Sequence, residues 1–322
     1  MSGRDAILCV SSHVARGTVG NRAAAFACEA LGHAVWSVPT VLLPWHPGQG
    51  PGTRLTWDTP GFAALMEDLA GSARLGELGG VLSGYLGAPS QAEAIAGVVR
   101  ALRRERPDAL YCCDPVIGGA RGLYVPVDLA ERIRDHLLPL CDLATPNRFE
   151  LEWLAGAPLP DNRALARAAA ALGPARVLVT SAHAEPGWTG NMLVTPDAVL
   201  LAGHERIEAP NSGTGDLTAG LLLSGLVDGL DDEEALRRAT AAVLDVIRLE
   251  AERGADELPL EIAREALERP RGDVVVQRIG GPAQVGQDRE RGRPPSKRDV
   301  AGRNPAERDP AGRDLAGRDR AT

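Results

Sequence analysis

The chain has 322 residues, 44% of them apolar and only 3% aromatic, so a sizeable core is possible but must be packed from aliphatic side chains and alanine. Its net charge is −8, and its 35 basic residues include a single lysine, Lys297. Everything before that lysine therefore lacks a Walker-type P-loop and a lysine Schiff base. From Arg271 onward basic residues outnumber acidic ones by 12 to 8, leaving −12 on residues 1–270, a poor match to a nucleic-acid groove that neutralises phosphates.

In chain order, short apolar runs bounded by turn residues alternate with amphipathic or alanine-rich stretches. Residues 6–11 (AILCVS), 34–40, 80–84, 109–114, 142–145 and 177–180 have strand character. Residues 21–31, 61–69, 90–104, 126–138, 148–154 and 163–172 have helical character, with Ser90 and Glu93 spaced as a capping box. This order predicts a mostly parallel sheet with helices on both faces. After Met192 the segments NMLVTP and AVLLAG read as an antiparallel pair, and helices over 216–227 and 232–252 close the fold. Beyond them, AGRD-like units recur with almost no large apolar residue, a composition unable to offset its ordering entropy. The expected organisation is one folded domain over residues 1–275 and a disordered Arg/Asp/Gly/Pro-rich tail over 276–322.

Neither a signal-peptide h-region nor an apolar run of 18 residues is present, which predicts no membrane span and a cytoplasmic protein. The five cysteines are odd in number and lack CxxC spacing, which argues against a disulfide framework and structural zinc and for a reducing compartment. Vicinal Cys112 and Cys113 are expected to be inert core residues. No histidine has a second histidine four residues on, so zinc catalysis is not expected.

Four constellations can carry chemistry. Gly213-Thr214-Gly215-Asp216 enters an apolar helix, where unpaired amides and the positive end of the helix dipole favour an anion. Asp216 is either the cap of that helix or a general base activating a hydroxyl toward a γ-phosphate. Asp114 ends an apolar strand before Pro115 and Gly118-Gly119, and Thr145-Pro146-Asn147-Arg148-Phe149-Glu150 follows another. Strand ends in an open α/β sheet form a ligand crevice, and Asp114 with Glu150 could supply oxygens to Mg2+, directly or through water. Each also has a purely structural reading, an Asx-Pro turn for Asp114 and a helix-dipole carboxylate for Glu150. Finally, Ser12-His13-Val14 leads into Gly17-Thr18-Val19-Gly20-Asn21, which lacks GxGxxG spacing and gives little support for a dinucleotide site.

Taken in order, SHVARGTVGN, LSGYLG, CDPVIGG, ATPNRFELEWL and SGTGDLTAGLLL resemble the pyridoxal kinases of the ribokinase-like superfamily, over roughly residues 5–250. That resemblance implies a three-layer αβα fold and ATP-dependent phosphorylation of the 5′-hydroxymethyl group of pyridoxal by a homodimer with Mg2+. It further implies Asp216 as base, with Gly213, Thr214 and Gly215 as the anion hole. Substrate contacts would fall to Ser12, His46 and Tyr85. Asp114, Asn147, Glu150, Thr180 and Ser181 would surround ATP, and Asp114, Thr145 and Glu150 the metal. Relatives usually carry Asn-His-Thr where this chain has Trp45-His46-Pro47, so a hydroxyl near the substrate is replaced by proline. The alternatives are a hydroxymethylpyrimidine kinase, whose members usually have cysteine in place of Asp216, and a non-catalytic homologue that binds pyridoxal phosphate.

Overall fold

The computed structural model describes residues 4–209 and 212–281. The alternation in the sequence becomes β1 (Ala6–Val14), α1 (Asn21–Ala30), β2 (Val35–Leu43), β3 (Leu55–Thr56), α2 (Thr59–Ala70), β4 (Leu78–Ser83), α3 (Ser90–Glu105) and β5 (Leu110–Cys113). A small hairpin, β6 (Gly118–Gly119) and β7 (Gly122–Leu123), precedes α4 (Val127–Arg132), β8 (Leu143–Ala144), α5 (Arg148–Ala155), α6 (Asn162–Ala171) and β9 (Arg176–Ala182). The remainder is β10 (Trp188–Val194), β11 (Val199–Glu205), α7 (Thr214–Val227), α8 (Asp232–Arg253), α9 (Arg264–Glu268) and β12 (Val275–Gly280).

Ten strands form one sheet in the order β12-β11-β10-β9-β8-β5-β4-β1-β2-β3. Its centre, from β9 to β2, is parallel, and the pairs at both margins are antiparallel. Successive side chains of a strand face opposite ways, and β1 shows what that does to the core. Ile7 and Cys9 pack with α1, α7 and α8, while Leu8 and Val10 pack with residues of α2 and α3 on the other face. The expected fold class, a mostly parallel sheet between two helical layers, is what forms. Every residue of α7 from Leu217 to Leu226 is buried, as its unbroken apolar run requires of a helix covered on all sides.

Several expectations change. The helix expected over 126–138 stops as α4 at Arg132 and continues as a π turn, Ile133–Leu137, and a 3-10 turn, Leu138–Leu140. Pro139 explains this, since it has no N–H to donate and its ring crowds the preceding turn. The capping box expected at Ser90 does not form: Pro89 is the cap of α3, Ser90 Oγ lies 3.0 Å from Thr59 Oγ1, and Gln91 Oε1 instead accepts the N–H groups of Gly87 and Ala88. β12 crosses the boundary expected at 275 and adds a strand to the sheet edge. The remainder of the expected tail, from residue 282, lies outside the described residues. No helix among the described residues is long and apolar enough to cross a membrane. All five cysteines are free and buried, and burial pushes the Cys113 thiol up to about 12 and Cys112 well above its usual range, as inert packing residues require.

Candidate active site

Five adjacent parallel strands (β9, β8, β5, β4 and β1) bring their C-terminal ends to one edge of the sheet. Backbone bonds carry the chain along that edge: Asp114 N–H donates to Ser83 O (2.8 Å), Thr145 N–H to Cys113 O (3.1 Å) and Thr180 N–H to Pro146 O (3.0 Å). Asp114, Thr145 and Thr180 are therefore successive steps on one crevice wall.

α7 enters the same crevice. Its cap is Gly213, held at φ +88°, where a Cβ would collide with the Thr18 carbonyl oxygen of the β1–α1 loop. Asp216 is thus not the cap of the helix but the third residue inside it. The first in-helix bond runs from Leu217 N–H to Gly213 O (2.9 Å), so the amides of Thr214, Gly215 and Asp216 fall outside the helical ladder. The Asp216 carboxylate is half-buried beside Gly84, where an added Cβ would lie 3.8 Å from its Oδ1 and 2.5 Å from Ser11 Oγ. Burial pushes its carboxyl up to about 6, while the N–H groups of Gly20 and of Asp216 itself favour the charged form. Ser12, 7% exposed, packs directly against Gly20.

Glu150 is placed by the capping box of α5. Asn147 Oδ1 accepts Glu150 N–H (3.0 Å), and Glu150 Oε2 accepts Asn147 N–H (2.9 Å). Its other oxygen accepts the N–H groups of Ile117 (2.9 Å) and Gly118 (3.2 Å), and Asn147 Nδ2 donates to Gly118 O (2.8 Å). Burial pushes the Glu150 carboxyl up to about 7 against these amides, with the Asp216 charge adding to the rise. Asp114 is held well above the usual carboxylate range by burial and by the charges of Glu150 and Asp216, opposed by the Thr145 hydroxyl.

Asp114, Glu150 and Asp216 thus share one negative field. Among the described residues no group of three or more His, Cys, Asp or Glu is arranged to hold a metal by itself. With both Glu150 oxygens occupied by amides, Asp114 is the carboxylate open to direct coordination, and the buried Thr145 hydroxyl lies beside it. One protein carboxylate plus substrate phosphates and water is the donor set Mg2+ prefers, so the residues present fit that ion, with Glu150 as an outer contact.

Thr180 is bridged to Asn147 in parallel register, and Ser181 follows at φ +55°, a left-handed conformation rare for a non-glycine residue. His183 is locked next to it by Asn162, which accepts His183 N–H (2.9 Å) and donates to His183 O (3.0 Å). The structure brings Asn147, Glu150, Thr180 and Ser181 together on this flank. Tyr85 stands on the other, its hydroxyl accepting from Arg54 Nη1 (2.9 Å) and its N–H donating to Ser11 Oγ (3.0 Å). His46 is on the loop after β2 and accepts Gly48 N–H at Nδ1 (3.2 Å), a bond within its own loop rather than to the carboxylate group.

Residues 84–261 match the sequence profile described as phosphomethylpyrimidine kinase. The chain is 39% identical over 289 residues to pyridoxal kinase PdxY of Rubrobacter xylanophilus, covering 85% of this chain and 97% of that one. The chain belongs to the pyridoxal kinase family. It is also 38% identical over 275 residues to pyridoxal kinase PdxY of Granulibacter bethesdensis, covering 82% of this chain and 96% of the relative. Among solved structures, the pyridoxal kinase of Leishmania donovani in complex with ADP and pyridoxamine superposes with a TM-score of 0.80 at 27% identity, over 85% of this chain and 99% of that one. A pyridoxal kinase fold therefore carries the crevice described above.

Within that fold, two features escape sequence reasoning. Gly20 is visible in GTVGN as a helix entry, but nothing there shows that its amide favours the charged form of a carboxylate 196 positions away. Arg16, Gln49 and Glu257 hydrogen-bond to one another from three segments distant in sequence, and no local pattern announces them.

Proposed function

We propose that the chain transfers the γ-phosphoryl group of ATP to the 5′-hydroxymethyl group of pyridoxal, giving pyridoxal 5′-phosphate, with Asp216 as the general base. The observation that carries this reading is the Asp216 carboxylate, raised to about 6 by burial in the first turn of α7, directly after the left-handed Gly213 cap. At neutral pH such a group is ionised yet basic enough to take a proton. As the hydroxyl oxygen of the substrate bonds to the γ-phosphorus, its proton passes to Asp216 and the bond from phosphorus to the bridging oxygen breaks, releasing ADP. The amides of Gly213, Thr214 and Gly215 receive the charge on the transferred group. Asp114 would hold Mg2+, with Thr145 and Glu150 close by, and when bound the ion would supply charge neutralisation to the nucleotide phosphates. Asn147, Thr180 and Ser181 line the nucleotide side, and Ser12, His46 and Tyr85 the vitamer side.

The absence of any lysine before Lys297 suits this chemistry, since backbone, arginine and metal replace the P-loop cation. The apolar side chains Leu42, Trp45, Leu55 and Trp57 are exposed together at the β2–β3 margin, which supports a homodimer formed there. Buried, unpaired cysteines support a cytoplasmic setting.

ATP consumption measured against pyridoxal, pyridoxine, pyridoxamine and hydroxymethylpyrimidine tests the assignment. Turnover confined to the pyridoxal group of vitamers sustains it. Preference for hydroxymethylpyrimidine would move the chain to the chemistry named by its sequence profile, and binding without turnover would make it a sensor.

A further inference from the structure

The β1–α1 loop, the loop after β2 and the segment after α8 are joined by a polar clamp for which the phosphoryl-transfer scheme has no role. One carboxylate oxygen of Glu257, on the connection between α8 and α9, accepts from Arg16 Nη1 (2.9 Å) and Gln49 Nε2 (2.8 Å). Arg16 Nη1 also donates to Gln49 Oε1 (2.9 Å), closing a three-membered ring of side chains, and Arg16 Nη2 pairs with Asp256 (2.7 Å). The three members come from the β1–α1 loop, the loop after β2 and the segment after α8. Arg16 and Asp256 are largely exposed, but the Glu257 side chain is only 15% exposed, which shields its bonds from the solvent screening that weakens surface pairs. Gly17 packs beside it at φ +113°, a conformation that favours glycine, and a Cβ there would sit 2.6 Å from Glu257 Oε2.

The clamp acts on the loop that carries His46. The stem of that loop is fixed by backbone bonds, Ala15 N–H to Leu43 O and Arg16 N–H to Pro44 O, both 2.8 Å. Its tip is a single 3-10 turn, Pro47–Gln49, capped by the His46 ring, and three residues form too few internal bonds to hold an orientation alone. Gln49 is the residue of that turn that Glu257 grips. At its other end the β1–α1 loop delivers Gly20, whose amide favours the Asp216 charge.

We infer that Glu257 is a positioning residue for the vitamer side of the site: through Gln49 and Arg16 it holds the His46 loop against the β1–α1 loop, and so sets affinity for the acceptor and not for ATP. The inference rests on the pyridoxal kinase reading above.

The test compares wild type with Glu257→Ala, Glu257→Gln, Gln49→Ala and the Gln49→Ala/Glu257→Ala pair, each assayed for kcat and for KM toward pyridoxal and ATP, with Tm as a check on folding. Glu257→Ala is expected to raise KM for pyridoxal about tenfold while KM for ATP stays within about twofold. Glu257→Gln, which keeps an acceptor oxygen, recovers part of the loss, and the double variant loses no more than Glu257→Ala alone, because both changes open one ring. An unchanged KM for pyridoxal, an equal rise for both substrates, or additive losses in the double variant would overturn the inference. Wild type without turnover on pyridoxal would overturn the underlying reading and this inference with it, and is distinguishable because it appears before any variant is compared.

Discussion

Asp216 shows how one side chain can be legible in kind and not in setting. Its place in GTGD before an apolar run marks a carboxylate at a helix entry, but the sequence leaves open whether it caps the helix or works on a substrate. The structure decides the first half, giving the cap to Gly213 and leaving the Asp216 carboxylate half-buried near Ser11 and Gly84. Its elevation to about 6 arises from burial, opposed by the distant Gly20 amide, which no local pattern could reveal. Asp216→Asn removes the base but keeps the shape, so kcat should fall by about 10²-fold or more with ATP affinity retained, measured by steady-state turnover and nucleotide titration. The wild-type pH profile should carry the same signature. Because the base works ionised, kcat is expected to hold above pH 6 and to drop as pH falls through about 6, by about tenfold per unit below it. The stability sign is opposite: a carboxyl raised on folding favours the folded state at low pH and costs stability as pH rises through about 6. Ligand-free Asp216→Asn should therefore melt above wild type at pH 8, a gain in Tm alongside the loss in kcat.

At the level of elements, periodicity located the longer helices and the central strands, because burial on one or both faces dictates where apolar residues recur, and it missed the short β3, β6, β7 and α9 and the edge strand β12. Ends were less legible, since caps depend on which donor finds which acceptor in three dimensions. Ser90 and Glu93 have capping-box spacing and form none, whereas Asn147 and Glu150 form one in full. The second box is why, of the two modes the sequence leaves open for Glu150, direct or through water, the amides on both its oxygens favour the second. Asn147→Ala should cost about 1–2 kcal/mol in urea denaturation by breaking that cap. It should also raise KM for ATP, because the freed Glu150 no longer holds the amides of Ile117 and Gly118. Gly213→Ala makes a sharper demand on the entry of α7. A left-handed φ and a Cβ driven into the Thr18 carbonyl should together cost about 2 kcal/mol or more. The anion-facing amides would shift with them, so turnover should fall further than the loss of stability alone explains.

For the whole molecule, the outline of one α/β domain followed by a polar tail is legible, but the boundary between them is not. VVVQRIG stands beside a stretch dominated by arginine, aspartate and glycine, and composition averages it into the tail. Pairing supplies what composition hides. β12 runs antiparallel to β11 from Val199–Gly280 to Gly203–Val275, and Arg278 Nη2 donates to Asp197 O (3.1 Å). The lead-in is fastened as well, with the N–H groups of Arg271 and Gly272 donating to Asp245 Oδ2 at 2.6 and 3.1 Å. Val274 and Val276 pack on the core beside α8, and Ile279 packs on the opposite face. Deleting residues 275–322 would bare β11, whose Val199-Leu200-Leu201-Ala202 run is an apolar edge able to pair with other chains. Deleting residues 282–322 removes only the Arg/Asp/Gly-rich segment, whose composition includes few large apolar residues, Val285, Val300 and Leu315. Two truncations thus separate strand from tail: ending at Gly281 should leave Tm and pyridoxal turnover at wild-type values, whereas ending at Val274 should lower Tm by several degrees, about 2–4 °C for each kcal/mol lost, and promote aggregation by light scattering. A wild-type Tm after the longer deletion would show that β12 contributes nothing to the sheet, and a loss after the shorter one would extend the folded domain past Gly281.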